Sequence, residues 1–256
     1  MALTSRQEEV KAEFVRERGV WGEVWECFLQ LDPEFLSAYL DYYMVPWRKG
    51  HLDARTREFI YIGLDAAATH LYEPGLRLHI REALKLGASA GEIVEVIELA
   101  STLGIHSVTV GMPILTEVLA RHGLRDGPAP LTERQEALKA AFVEKRGYWS
   151  SSWDETLELD PDLFEAYTRF SSLAARSGLL STKSRELICL AFNVATTHLY
   201  EPSIRLHFDN ALTAGATLDE ILETIEIASV IGLHAATMAM PILADELARA
   251  AKAKDQ

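Results

Sequence analysis

The sequence contains little cysteine and no long apolar run. Only Cys27 and Cys189 are cysteines among its 256 residues, and their separation excludes a CxxC dithiol and disfavours a disulfide scaffold. Its apolar stretches fall short of the ~18 residues that a membrane-spanning helix requires. The first residues lack the basic and apolar regions of a secretory signal. We therefore expect a cytoplasmic protein with no membrane partner.

Positive charge is scarce as well. The chain has 25 Lys and Arg residues against 38 Asp and Glu, which gives a formal net charge of −13. Nucleic acids and anionic membrane surfaces bind clustered Lys and Arg, so we expect neither as a partner. The sequence also has no GxGxxG, GxSxG or phosphate-binding loop, which removes the common signatures of nucleotide-binding proteins and serine hydrolases.

The chain repeats itself at an offset of 128 residues. The segment RQEEVKAEFVRERGVW (6–21) aligns with RQEALKAAFVEKRGYW (134–149), and ATHLYEPGLRLH (68–79) aligns with TTHLYEPSIRLH (196–207). A period this long indicates a duplicated domain, not a solenoid. We place the first copy at residues 1–123, the linker at 124–131 and the second copy at 132–256. Two such copies predict a pseudo-dimer about a pseudo-two-fold axis.

Helix signals run through both copies, whereas few stretches alternate as strands do. The residues from Arg6 to Arg18 form helix readily, and Gly19 is placed to end that helix. Asp32 precedes a proline, a combination typical of a helix N-cap, and the second copy repeats it. Pro74 predicts a helix start, with the preceding helix ending between His70 and Tyr72. The fold class predicted is all-α.

Six of the eight histidines occupy equivalent positions in the two copies, and so do three pairs of charged residues. These pairs are His70 with His198, His79 with His207, His106 with His234, Glu58 with Glu186, Glu73 with Glu201, and Arg77 with Arg205. Apolar residues at helical spacing around His79 predict that its side chain lies on an apolar helix face. There it is either a core residue or a general acid or base. Glu58 either caps a helix or forms a structural ion pair, or it is the carboxylate partner of His79.

Arg77 lies one helical turn after Glu73, and the same spacing recurs in the second copy. The pair is either a surface ion pair or, with the guanidinium turned toward a ligand, a clamp for a substrate carboxylate.

A metal site is a further alternative, because imidazole and carboxylate groups suit Zn or Fe. Its ligands would be His70, Glu73, His79 and His106, and in the second copy His198, Glu201, His207 and His234. The spacing H-x2-E-x5-H matches no established metal signature, so the leading expectation is a protein without a cofactor.

One helix in each copy carries H-x3-A-x3-G, at His79, Ala83 and Gly87 and again at 207, 211 and 215. An E-I-x-E stretch and a glycine follow, and Glu58 or Glu186 precedes. This arrangement resembles the carboxymuconolactone decarboxylase and alkylhydroperoxidase D-like (AhpD-like) family. The resemblance covers residues 52–119 and 180–247. It implies AhpD-like helical domains and a homo-oligomer, here a trimer of two-copy chains.

The peroxidase branch of that family uses a CxxC dithiol ahead of the histidine. The two cysteine positions fall on Tyr72 and Gly75 in the first copy and on Tyr200 and Ser203 in the second. Because the thiolate is the reactive group in that chemistry, peroxidase activity is not expected.

The decarboxylase branch implies a cofactor-independent lyase or isomerase that acts on a small carboxylic acid or lactone. On this resemblance His79 and His207 are the acid–base residues, and Glu58 and Glu186 orient or recharge them. Arg77 and Arg205 would bind the substrate carboxylate. Substrate would also contact His70, His198, Tyr72, Tyr200, His106 and His234. The family's Y-x-G-x-P segment is TLGIH and VIGLH here, which predicts a different substrate. A non-catalytic ligand-binding protein is the remaining alternative.

Overall fold

The two halves of the chain fold into the same series of helices. The computed structural model describes residues 2–176 and 178–254, and these residues contain helices and turns but no strand. The helices of the first copy are α1 (Ser5–Arg18), α2 (Glu23–Leu31), α3 (Pro33–Lys49), α4 (Ala54–Ala66), α5 (Glu73–Lys85), α6 (Ala90–Ser101) and α7 (His106–Arg121). Those of the second are α8 (Glu133–Arg146), α9 (Asp154–Leu159), α10 (Pro161–Ser171), α11 (Leu173–Arg176), α12 (Thr182–Val194), α13 (Glu201–Thr213), α14 (Leu218–Val230) and α15 (His234–Lys254). The all-α prediction is confirmed.

Capping residues fix most helix ends where the sequence predicts them. The Asp32 side chain accepts a hydrogen bond from the Phe35 amide at 2.9 Å, which begins α3, and Asp160 does the same for α10. Gly19 has a φ of +67° and ends α1. These side-chain and backbone caps satisfy the amide and carbonyl groups that a helix end leaves unpaired.

The turn after α4 differs from the prediction. The helix ends at Ala66, several residues before the expected stop, and Leu71 in the turn has a φ of +50°. Leu199 repeats this left-handed conformation with a φ of +51°. Leucine rarely adopts it, so its presence in both copies marks a turn that tertiary contacts hold in place. Leu71 is exposed, whereas its neighbours His70 and Tyr72 both contact the other copy.

A pseudo-two-fold axis relates the copies and passes between α4 and α12. Thr69 and Thr197 place their hydroxyl oxygens 3.4 Å apart, and the Thr56 and Ser184 hydroxyl oxygens are 3.3 Å apart. Each pair joins residues at equivalent positions of the repeat, and such contacts form at a two-fold axis. The predicted pseudo-dimer is therefore confirmed.

Buried ion pairs join the copies on either side of this axis. Arg57 of α4 donates from Nε and Nη2 to Glu223 Oε1 of α14 at 2.9 and 2.7 Å. The equivalent pair of Arg185 and Glu95 has a closest distance of 3.4 Å. Removing one partner of such a pair leaves an uncompensated buried charge, so these contacts fix how the copies pack.

Two helical segments are long and apolar enough to cross a membrane by length and composition alone, which differs from the expectation that no stretch reaches that length. They run from Ala90 to Arg121 and from Leu218 to Ala253, and a short 3-10 turn interrupts each. Their N-terminal halves, α6 and α14, contribute buried residues such as Val96 and Ile227 to the core, whereas α7 and α15 expose several apolar side chains. The exposed residues occupy equivalent positions and include Val110, Ile114, Leu115, Met238, Ile242 and Leu243. Exposed apolar patches of this kind mark surfaces for partners.

Candidate active site

A glutamate and a histidine meet in each copy, as the sequence analysis expected. In the second copy His207 Nδ1 donates to Glu186 Oε2 at 2.7 Å, and about a fifth of each side chain is exposed. In the first copy His79 and Glu58 form the same contact at 2.7 Å, but both are buried. A carboxylate at Nδ1 fixes the ring orientation and leaves Nε2 for proton exchange.

The second pair borders a cavity of about 550 Å³. Its wall contains the aromatic rings of Tyr148, Trp149, Trp153, Tyr167 and Tyr200, together with polar groups from both copies. An apolar pocket with a few convergent polar side chains is the usual form of a small-molecule site.

Two residue differences explain why this cavity belongs to the second copy. Ser171 and Cys189 line it, whereas the equivalent positions of the first copy are Tyr43 and Tyr61. The Tyr61 ring stacks on His79 with centroids 4.2 Å apart and planes 5° apart, and Tyr43 stacks on Tyr61. These rings cover the imidazole of the first copy, and the smaller side chains leave the imidazole of the second copy open.

Cys189 is not suited to nucleophilic chemistry despite lining the cavity. Burial raises the pKa of its thiol, so the thiol stays protonated at neutral pH. The thiolate is the nucleophilic form of cysteine, and this environment disfavours it.

The remaining histidines of the second site come from different copies. His106 Nδ1 of α7 is hydrogen-bonded to His198 Nε2 at 2.5 Å, and the other ring nitrogen of His106 lies 3.0 Å from Ser203 Oγ. The His106 ring stacks on Tyr200 with centroids 4.0 Å apart. Burial, aided by His198 and His207, lowers the pKa of His106 to about 4. His106 is therefore neutral at physiological pH and contributes hydrogen bonds without charge.

The first copy has the mirror-image arrangement. His234 of α15 lies 2.8 Å from His70, its ring stacks on Tyr72, and Tyr72 shares a hydrogen bond with Thr237 at 2.7 Å. Burial, with His70 as a neighbour, lowers the pKa of His234 to about 3. Each site is thus completed by the other copy.

The pairing of histidines across the two copies shows that the expected metal site within one copy is wrong. His70 pairs with His234, and His106 with His198, so the structure does not bring His70 and His106 together. Glu73 lies on the surface, and Glu201 does so in the second copy. The expected four-ligand sets are therefore not assembled.

The expected carboxylate-binding arginines also lie elsewhere. Arg77 pairs with Glu73 at 2.7 Å, and Arg205 pairs with Glu201, and about 70% or more of each of these four side chains is exposed. Both arginines have the i to i+4 surface pairing that their spacing allows. They do not project into the cavity beside His207, whose lining has other arginines.

Arg146 is a cavity residue that the sequence analysis missed. It lies at the end of α8, donates from Nη2 to Ser171 Oγ at 2.6 Å, and lies over the Phe142 ring at 5.3 Å. Within residues 2–176 and 178–254 it forms no ion pair, whereas the other lining arginine, Arg185, pairs with Glu95. The signal was available, because the repeat places Arg18 and Arg146 equivalently before G-x-W.

Asp65 is a second missed residue. Its side chain is fully buried in α4, and burial raises its pKa to about 8. The second copy has Asn193 there, whose amide donates to the Cys189 carbonyl at 2.8 Å. The signal for Asp65 was this departure from the repeat within an otherwise similar segment.

Comparison with known proteins agrees with this fold. The model of the carboxymuconolactone decarboxylase family matches residues 33–117 and 161–246, once in each copy. A crystal structure of a candidate gamma-carboxymuconolactone decarboxylase subunit from Burkholderia xenovorans LB400 superposes with a TM-score of 0.89. It is 48% identical, and the match covers 95% of this chain and 98% of that one. No curated protein matches the sequence. The chain belongs to the carboxymuconolactone decarboxylase family, and it contains two tandem AhpD-like domains.

Proposed function

We propose that this protein is a cofactor-independent lyase that decarboxylates, or isomerises, a small unsaturated carboxylic acid or lactone in the second copy. Family membership supports a decarboxylase-like function at the coarser level. The observation that carries the finer proposal is the Glu186–His207 pair, 2.7 Å apart and open to a cavity of about 550 Å³.

The substrate carboxylate would bind Arg146. This guanidinium lines the cavity and lacks an ion-pair partner within the described part of the chain. A guanidinium presents a rigid fork of donors that matches a carboxylate. It would hold the acid while the aromatic walls of the cavity cover a flat, unsaturated skeleton.

The bond that breaks joins the carboxylate carbon to the carbon skeleton. Its electron pair passes into the unsaturated skeleton as carbon dioxide leaves, which gives a dienolate. His207, protonated on both ring nitrogens, then donates the Nε2 proton to carbon and becomes neutral. Glu186 holds Nδ1 throughout and stabilises the imidazolium form. Solvent returns the proton to His207 before the next turnover.

The experiment measures carbon dioxide release from a panel of small unsaturated lactone acids and open-chain acids. We expect the H207N variant to lose turnover by about 10²- to 10⁴-fold, the range that a positioned general acid contributes. H122A is the matched control, because His122 is exposed at the end of α7 and outside both sites. The H79N variant distinguishes one active copy from two, and we expect it to retain turnover.

Full turnover by folded H207N would overturn the proposal. Equal losses in H207N and H79N would instead place chemistry in both copies. Circular dichroism and thermal unfolding show whether each variant is folded.

We also propose that the chain forms a homotrimer through the apolar faces of α7 and α15. Ile114 and Ile242 are more than half exposed at equivalent positions, and Leu115 and Leu243 lie beside them. Repetition of the face on both copies suits a ring in which one copy contacts the next. This repetition favours further copies of the same chain as the partners that cover these faces.

Light scattering after size-exclusion chromatography tests the trimer. We expect three times the chain mass of 28.5 kDa. An I114D and I242D double variant should shift to lower mass, since it places charge on both apolar faces. A wild-type protein that elutes as a monomer would refute the trimer and leave the site proposal intact.

A further inference from the structure

We propose that the first copy binds one divalent transition-metal ion between Asp65, His70 and His234. Asp65 lies in α4, His70 in the turn that follows, and His234 begins α15 of the other copy. The site is distinct from the His207 cavity, so this inference goes beyond the proposed lyase activity.

The three side chains converge on one point. Asp65 Oδ1 lies 3.6 Å from His234 Nδ1 and 3.9 Å from His70 Nε2, and the two imidazole nitrogens are 2.8 Å apart. Metal–ligand bonds of about 2.0–2.1 Å in a tetrahedron separate neighbouring ligand atoms by about 3.4 Å. The observed triangle is close to this size and needs only a small opening between the two imidazoles.

The carboxylate has no other partner. Asp65 is completely buried, and neither of its oxygens accepts a hydrogen bond from residues 2–176 or 178–254. A buried carboxylate in this state is strongly unfavourable unless a proton or a cation compensates it. Gly75 leaves the space it occupies, since a Cβ there would lie 2.3 Å from Asp65 Oδ2.

In the second copy, the residues equivalent to Asp65 and Gly75 are uncharged and do not require a cation. Asn193 replaces Asp65 and donates to the Cys189 carbonyl, and Ser203 replaces Gly75 and lies 3.0 Å from His106 Nε2. The Asn193 amide nitrogen and the Ser203 hydroxyl are hydrogen-bonded, and the Asn193 side-chain oxygen, which has no partner among the described residues, is uncharged. Both clusters contain two imidazoles, and the two differences together place a buried carboxylate without a hydrogen-bond partner beside those of the first copy.

The donor set selects the class of metal. Two imidazoles with one carboxylate favour a late first-row ion such as Zn²⁺, whereas Mg²⁺ and Ca²⁺ prefer oxygen ligands alone. Because the ligands come from both copies, the ion would tie α4 to the start of α15. We therefore assign it a role in holding the two copies together.

Calorimetric titration of chelator-treated full-length protein with Zn²⁺ tests the site. We expect one ion per chain, and a D65N variant should bind at least about 100-fold more weakly, since loss of even an outer-sphere partner weakens metal sites 10- to 100-fold. Co²⁺ gives a second readout, because its visible absorption reports ligand geometry without any enzyme assay. Zn²⁺ should also raise the Tm of wild type and not that of D65N.

H198A is the matched control, because His198 occupies the position of His70 in the neutral cluster. We expect it to bind Zn²⁺ like wild type, and H234A to lose binding. D65N should fold, since asparagine occupies the equivalent position of the second copy. Wild type without stoichiometric Zn²⁺ binding, or D65N with wild-type affinity, would overturn the proposal. Either result is independent of turnover by His207.

Discussion

A tyrosine beside His207, placed as Tyr61 is beside His79, should lower turnover strongly without unfolding the protein. The perturbation is C189Y, which copies Tyr61 into the equivalent position. In the first copy that ring stacks on the histidine with centroids 4.2 Å apart, which is van der Waals contact. A substrate carbon must approach to about 3–3.5 Å of the reacting nitrogen, and a ring stacked on His207 would occupy cavity space that this approach requires.

The expected loss is the contribution of the general acid, about 10²- to 10⁴-fold in kcat/KM. The assay is carbon dioxide release with the best acid from the panel, and thermal unfolding checks the fold. A cavity of about 550 Å³ has room for the added ring, so the Tm should change little. C189A is the control and should keep its activity, because the buried thiol is not a nucleophile. Wild-type turnover by C189Y would refute the assignment of the active site to this cavity.

Three further predictions concern packing and protonation. E223A should lower the free energy of unfolding by about 3–5 kcal/mol in urea, because Arg57 is left buried without its partner. Between about pH 4 and 6.5 the free energy of unfolding should rise with pH, because the pKa of His106 falls to about 4 on folding and the unfolded chain binds the proton more tightly. G75A should lower the Tm through a loss of about 1–3 kcal/mol, because its Cβ would overlap the Asp65 carboxylate.

Each of these has a contrasting variant. R57M combined with E223L should recover much of the E223A loss, since neither side chain then carries a buried charge. H106N should reduce the slope of this pH dependence between about pH 4 and 6.5, and His234, whose pKa also falls on folding, should supply part of the slope that remains. An unchanged slope would show that His106 does not contribute. S203G should be tolerated, because Ser203 gives up one hydrogen bond and creates no overlap.

The repeat made much of the fold predictable. The constant offset of 128 residues predicts two equivalent units, and local signals such as Asp32 with its following proline predict helix starts. Glu58 and His79 could be paired because they recur together as Glu186 and His207. These inferences needed only local chemistry and repetition.

The assembly of each site depended on contacts that no local pattern encodes. His106 meets His198 across 92 positions of sequence, and His70 meets His234 across 164, because the copies pack side by side. A sequence motif cannot distinguish this exchange from a cluster within one copy. The early end of α4 shows the same limit, since tertiary contacts hold Leu71 in a left-handed conformation.

Differences between the copies proved as informative as the similarities. The difference between Tyr61 and Cys189 at equivalent positions is evident in the sequence. Only the packing shows that Tyr61 covers His79 and that Cys189 leaves the cavity beside His207 open. Likewise, the first copy has the buried carboxylate of Asp65 where the second copy has the neutral amide of Asn193. Duplicated sequences therefore merit comparison at the positions where the repeat fails.

A crystal structure with a bound unsaturated carboxylic acid tests the central claim most directly. We predict the acid in the second-copy cavity, with its carboxylate on Arg146 and its unsaturated carbon within about 3–3.5 Å of His207 Nε2. Density for the acid at a site away from His207, with the cavity beside it empty, would contradict the account.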